Sequence, residues 1–430
     1  MKPLLLKGGR VIDPSQRYDA RADVLVVDGK IESVGANLGT PDGADVVDVA
    51  GLVVAPGLID VHVHLREPGQ EDRETIATGA RAAAAGGFTG ICAMPNTDPP
   101  IDNQSAVGFV MKQGQSAGAA RVYPIGAITL GQRGEQLAEF GEMVGAGAVA
   151  VSDDGMPVTS GHMMRTALEY AQTFGIPVAD HCEEPTLARG GVMHEGTVSA
   201  RLGLKGIPAA AEEIMVARDA ILAGLTRGHV HLCHMSTRGS VEIIRRAKDH
   251  GWQVTAEACP HHFTLTHEAC EDYDTNAKMN PPLREAADVE AVRAGLKDGT
   301  IDCIATDHAP HHYDAKEREF DDAPFGIVGL ETALGLGVTE LVVGGVLTLP
   351  ELILRMSTLP ARLFGLPGGS LGKGRPADLC VFDPGARWTV DPAAFLSRSR
   401  NTPFANRELV GRVVRTLVGG RTVFAVTPAR

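Results

Sequence analysis

The chain has 430 residues, 44% of them hydrophobic, with 40 basic and 53 acidic side chains and a net charge of −13. That length exceeds one ordinary domain and suits a large α/β barrel with a satellite. The acidic balance, with no basic run, argues against a nucleic-acid or anionic-membrane partner but leaves room for a small anion held by local arginines.

The N-terminus meets Lys7 and Gly8 too soon for a signal-peptide core. No run of about 18 apolar residues occurs, so no membrane span is expected. Seven cysteines form no C-x-x-C pair. Cys92, Cys182, Cys233 and Cys303 lie in apolar strand-like runs, as small core residues of a reducing compartment would. A soluble cytoplasmic protein is the expectation.

Residues 4–12, 22–27, 30–35 and 46–54 read as short strands, and Asp28-Gly29 is a hairpin signal. From 58 to about 345, strand-like runs alternate with helical ones. The strands are 58–65, 88–95, 122–128, 148–153, 176–182, 229–235, 253–259 and 301–306. Helical patterns include 73–85, 210–225, 236–249 and 286–297. Eight such units predict a closed (β/α)8 TIM barrel. The alternative, an open doubly wound sheet, would put a glycine-rich phosphate turn after the first strand, and Val63-His64-Leu65-Arg66 is not one. Helices are expected at about 327–343 and 350–365, then strands at 378–383, 388–390 and 412–424 with Gly419-Gly420 as a turn. The β-rich ends, 1–54 and 367–430, are each too small to stand alone. They are expected to pair into a small discontinuous β-sandwich beside a barrel spanning 55–366, the alternative being two separate flaps.

The first barrel strand carries Asp60, His62 and His64 at alternate positions of an otherwise apolar run, so all three should project one way. Buried without partners they would be costly, and a metal ion suits neutral imidazoles best. Pairing with hydroxyls or carbonyls is the plainer reading. A barrel gathers its active site at the C-terminal strand ends. Those ends carry His62 and His64, Met94-Pro95-Asn96, Asp153-Asp154, His181, His234 and Asp307. Four imidazoles with carboxylates suit zinc, and two ions would need a bridging carboxylate.

His62-Val63-His64, His181, His234 and Asp307 resemble the metal set of the amidohydrolase superfamily. Asp60–Gly69, Met94-Pro95-Asn96-Thr97, Ala179–Glu183, Met279–Arg284 and Ala305–His311 resemble the signatures of bacterial class I dihydroorotases. Many relatives bridge their metals with a carboxylated lysine after the fourth strand. This chain has no lysine between Lys112 and Lys205 and offers Asp153-Asp154 instead, of which alignment with the class I pattern selects Asp154.

The resemblance implies a zinc enzyme with two ions per subunit. His62, His64 and Asp307 would hold one ion, His181 and His234 the other, with Asp154 between. Asp307 would also be catalytic, moving the proton from the attacking hydroxide to the leaving ring nitrogen. Its plainer role is a helix cap. The reaction implied is the reversible hydrolysis of (S)-dihydroorotate to N-carbamoyl-L-aspartate in de novo pyrimidine biosynthesis. Substrate binding is implied for His64, Arg66, Asn96, Asn280, His311, Phe325 and Gly326. Arg66 suits a carboxylate as a bidentate fork, whereas Asn96, Asn280 and Gly326 could merely shape turns. A homodimer is the family expectation, and aspartate transcarbamoylase a possible partner. The rival readings are an allantoinase or hydantoinase and a non-catalytic scaffold for the transcarbamoylase. His229 and His231, at the start of the sixth strand, read as structural, and His261 and His262 lie near the mouth. His162, His194, His250 and His267 read as helix or loop residues, with His308 and His312 unassigned. The charged loop 311–324 reads equally as a lid or a solvated excursion.

Overall fold

The alternation of strand and helix closes as expected. The computed structural model describes residues 2–426, and its centre is a parallel eight-stranded barrel. The strands are Leu58–Val63, Phe88–Ala93, Arg121–Gly126, Ala150–Ser152, Val178–Asp180, Val230–Leu232, Val254–Ala258 and Cys303–Ile304, hydrogen-bonded in that order. The eighth meets the first just beyond its end: His64 N donates to His308 O at 2.8 Å, and Val63 bridges His308 in parallel. Ile59, Val61, Cys92, Ile125, Ala150, Ala179, Cys233 and Cys303 fill the interior as one apolar cluster.

The strands are shorter than the apolar runs that announced them. The eighth has two ladder residues where 301–306 was expected. Apolar residues past the ladder are buried in the rim, so hydrophobicity overstates strand length. The strict alternation expected of Asp60, His62 and His64 also fails. Register shifts interrupt the first strand on either side of Asp60. Asp60 does not join the histidines: its Oδ1 accepts N–H from His62 and Thr306, both at 3.1 Å, helping to close the barrel.

The outer helices follow their sequence signals. Thr75 caps Ile76–Ala85 by accepting from Thr78 N, so this helix starts at 76 rather than 73. Arg238–Asp249 buries Val241, Ile244 and Ala247 and ends on Arg246 and Lys248, which suit its C-terminal dipole. The helix expected at 327–343 begins only at Ala333 and continues in π geometry over Gly337–Val343. The one expected at 350–365 is Leu349–Ile353, a π stretch Leu354–Thr358 and Leu359–Leu363.

The β-rich ends join through Val53–Pro56. This strand runs parallel to Leu4–Asp13 and antiparallel to Leu379–Thr389, so N- and C-terminal segments share one β-sandwich domain. Leu6, Val11, Val24, Val54, Leu379, Val381 and Leu417 form its core. Leu379–Thr389 is one strand with a bulge between Asp383 and Arg387, where two were expected. Gly419 and Gly420 both take positive φ, 55° and 74°, and reverse the chain between Glu408–Val418 and Arg421–Ala425. All seven cysteines are free and buried. No helix of the described residues is long and apolar enough to cross a membrane.

Candidate metal centre

The ends of five barrel strands bring four imidazoles and two carboxylates to one point. Asp154 is central. Its Oδ1 lies 3.4 Å from His62 Nε2, 3.4 Å from His181 Nδ1 and 3.6 Å from His234 Nε2, while Oδ2 lies 3.4 Å from His64 Nε2. Asp307 Oδ1 stands 3.0 Å from His64 Nε2 and 3.4 Å from His62 Nε2. Asp153 turns the other way and accepts from Ile128 N, Thr129 N and Thr129 Oγ1.

The set divides into two groups that could each hold an ion: His62, His64 and Asp307, and Asp154, His181 and His234. His62 Nε2 and Asp154 Oδ1 are buried without a hydrogen-bond partner, although they face each other. Buried polar atoms left so are costly, and a cation bound between them removes the cost. Ligands about 2.0–2.2 Å from a tetrahedral zinc ion lie about 3.3–3.6 Å apart, which matches these spacings. The residues present therefore fit a metal.

The cluster is strongly polarised. Burial alone would raise the Asp154 carboxyl, yet His62, His181 and His234 hold it well below the usual carboxylate range. Asp307 is held down likewise, chiefly by His62 and His64. Burial would lower the His62 imidazole, but Asp154, Glu257 and Asp307 hold it well above its ordinary value. His234 and Asp307 take positive φ, 43° and 48°, as does Arg66 at 63°, backbone that few non-glycine residues adopt.

A cavity of about 350 Å³ opens onto this cluster. Every residue expected to bind substrate lines it: His64, Arg66, Asn96, Asn280, His311, Phe325 and Gly326. Arg66 is 7% exposed, donates from Nε to Pro310 O at 3.3 Å, and forms no ion pair among the described residues. Burial, with Arg73 nearby, pulls its guanidinium down to about 10. Asn96 Oδ1 bonds His64 Nδ1 at 2.8 Å, fixing that ring. Asn280 Nδ2 donates to Glu183 at 2.9 Å. His311, pushed down to about 2 by burial and then by Arg66 and Lys316, stays neutral and donates from Nε2 to Phe325 O at 2.7 Å. Gly326 has φ 122°, and a Cβ there would come within 2.7 Å of Ala309 Cβ. Its backbone groups are engaged within the protein, N–H on Lys278 O and C=O on Asn401 Nδ2.

Residues 51–240 match the family described as dihydro-orotase-like. A dihydroorotase of Pelotomaculum thermopropionicum is 58% identical over 420 residues, covering 98% of each chain. One from Trichlorobacter lovleyi is 53% identical over 422 residues, covering 98% of this chain and 99% of its own. The chain belongs to the dihydroorotase family. Among solved structures, the L-hydantoinase (dihydropyrimidinase) of Arthrobacter aurescens superposes with a TM-score of 0.88 at 27% identity, covering 98% of this chain and 96% of its own. Dihydroorotases and hydantoinases are cyclic amide hydrolases, and the family membership makes this chain one.

Two features of this family member escaped the sequence. Glu257, on the seventh strand and fully buried, accepts from His62 Nδ1 at 2.6 Å, from His231 Nε2 at 3.1 Å and from His234 N at 3.2 Å. Opposed by burial but outweighed by His62 and His231, its carboxyl sits at about 2. His231 is thus not merely a strand residue but one end of a relay beneath the cluster. A carboxylate inside an apolar strand, Val254-Thr255-Ala256-Glu257-Ala258, was the available signal. Asn401, far along the chain, accepts from His311 N and donates to Ala309 O and Gly326 O, each at 3.1 Å. His308 closes the barrel through its carbonyl and accepts from Gly329 N at Nδ1. His262 Nε2 donates to Pro281 O, next to the cavity residue Asn280.

Proposed function

We propose that this chain is a zinc-dependent dihydroorotase of the bacterial class I type, holding two ions. It interconverts (S)-dihydroorotate and N-carbamoyl-L-aspartate in pyrimidine biosynthesis. His62, His64 and Asp307 would hold one ion and His181 and His234 the other, with Asp154 bridging. Bound there, the ions supply a polarised ring carbonyl and hydroxide near neutral pH. Asp307 reaches both the histidine nitrogens and the cavity. It is therefore suited to take the nucleophile's proton on its carboxylate and pass it to the leaving ring nitrogen. Asn96 holds His64, and Glu257 holds His62.

One observation carries the choice of substrate: Arg66 is a buried guanidinium at the cavity wall that forms no ion pair with a carboxylate among the described residues. Dihydroorotate brings one, whereas a hydantoin ring does not. The complete donor set weighs against a non-catalytic scaffold. A homodimer, an association with aspartate transcarbamoylase and a cytoplasmic location belong to this reading by family resemblance. The test is turnover of dihydroorotate, hydantoin and allantoin by purified protein alone, with metal content measured on the same sample. Dihydroorotate should be fastest, with close to two zinc ions per chain. Faster hydantoin or allantoin turnover would overturn the substrate assignment.

A further inference from the structure

The charged loop after the eighth strand is a strap, and two buried lysines hold it. It carries a short helix, Tyr313–Lys316, and returns to the cavity at Phe325 and Gly326. Lys316 is 5% exposed. Its Nζ donates to Pro324 O at 2.7 Å within the strap, and to Thr275 O at 2.8 Å and Lys278 O at 3.2 Å on the facing segment. Lys278 reaches back across the same seam, from Nζ to Phe320 O at 2.5 Å and Asp321 O at 3.0 Å, with its ammonium 4.8 Å from the Phe325 ring centroid.

Three carbonyls converge on Lys316, and no carboxylate pairs with it among the described residues. An ammonium has three N–H groups to give and a carbonyl cannot stay buried unpaired without cost. An apolar residue of the same length would fill the space but satisfy none of them. Both tied segments reach the cavity. Asn280 lies two residues beyond Lys278, while His311 and Phe325-Gly326 are the ends of the strap.

We propose that Lys316 is a positioning residue for the reaction: it ties the strap 311–326 to the segment 275–280 and so fixes the spacing between His311 and Phe325 on the one and Asn280 on the other. The proposal rests on the dihydroorotase reading for its substrate, though not for the strap itself.

The test compares wild type with Lys316→Met and Lys316→Arg. Three readouts are taken: KM and kcat for dihydroorotate, cleavage by a protease that cuts after glutamate, and metal content. Glu317 and Glu319 are exposed on the strap and report its release. Lys316→Met should raise KM at least tenfold with a smaller change in kcat, speed cleavage at the strap about tenfold and leave metal content unchanged. Lys316→Arg, which keeps donors, should recover part of both effects. Wild-type KM together with wild-type cleavage in Lys316→Met would overturn the proposal, as would a Lys316→Arg variant no better than Met. If Lys316→Met does not fold, Lys278→Met tests the same seam, with faster strap cleavage expected and an unchanged rate overturning the tie. Should wild type not turn over dihydroorotate, the functional reading fails while the cleavage comparison still judges the strap.

Discussion

Glu257→Gln should weaken metal binding without unfolding the barrel. The wild-type carboxylate accepts from two rings at once, His62 Nδ1 at 2.6 Å and His231 Nε2 at 3.1 Å. This fixes one proton of His62 on Nδ1 and leaves Nε2, which faces Asp154 and Asp307, as the nitrogen that gives up its own proton when an ion binds. Glutamine offers one acceptor and one N–H₂. If the N–H₂ faces His62, the imidazole must move its proton to Nε2, where it blocks a ligand. If it faces His231, the negative charge behind His62 is still lost. Removing such a partner lowers metal affinity about 10–100-fold. That is about 1.4–2.8 kcal/mol, within the range of a lost charge-assisted hydrogen bond. Competition between stripped protein and a chromophoric chelator for zinc measures the change, and circular dichroism checks the fold. A folded Glu257→Gln protein with wild-type zinc affinity would refute the relay.

Three further outcomes are expected. Asp307→Ala should lower turnover of dihydroorotate at least about 10²-fold with the fold intact; near-wild-type activity would remove Asp307 from the proton transfer. Arg66→Lys should raise KM for dihydroorotate about tenfold or more, since a point charge replaces a planar fork; an unchanged KM would count against carboxylate binding there. Stability should fall on the acid side partly through His194, which is 6% exposed and accepts from Arg284 at Nδ1. Burial, then Arg284 and His267, push its folded value down to about 4 from an ordinary 6.5. A proton therefore binds the unfolded chain better, and the stability present above pH 6.5 is lost as pH falls through 4. The loss between pH 7 and 5 is roughly 2 kcal/mol. His194→Asn should shrink that drop in denaturant titrations at the two pH values, and an equal drop would show that His194 does not contribute.

The ring of strands was legible because each strand–helix unit repeats its own hydrophobic period. The rim histidines were legible because polar residues at the ends of apolar runs have few other uses. What the sequence hid depends on neighbours across the ring. Glu257 and His62 are 195 residues apart, and only closure of the barrel sets one behind the other. Asp60 looked like a third inward group, but a shift of register is invisible without the partner strand. Lys316 stood in a charged stretch that read equally as a lid or a solvated excursion, with nothing in it to single out this lysine. A buried lysine and an exposed one are spelled alike, and only the facing carbonyls of Thr275 and Lys278 distinguish them.

A shared fold leaves the substrate undecided, because unrelated specificities sit on the same barrel. The L-hydantoinase superposes over nearly the whole chain, so discrimination has to come from cavity side chains. On the proposed reading, Arg66 is the cavity side chain whose state differs with the substrate. With a carboxylate bound, its buried charge is paired. With a neutral ring, it stays desolvated and unpaired, although the scaffold has already placed it there in left-handed backbone. A site built to bond a polar group can reject the analogue lacking it by roughly 10⁴–10⁵. In a chain of net charge −13, that local positive charge is set against the general field. It acts within the cavity, where burial keeps solvent and salt from screening it.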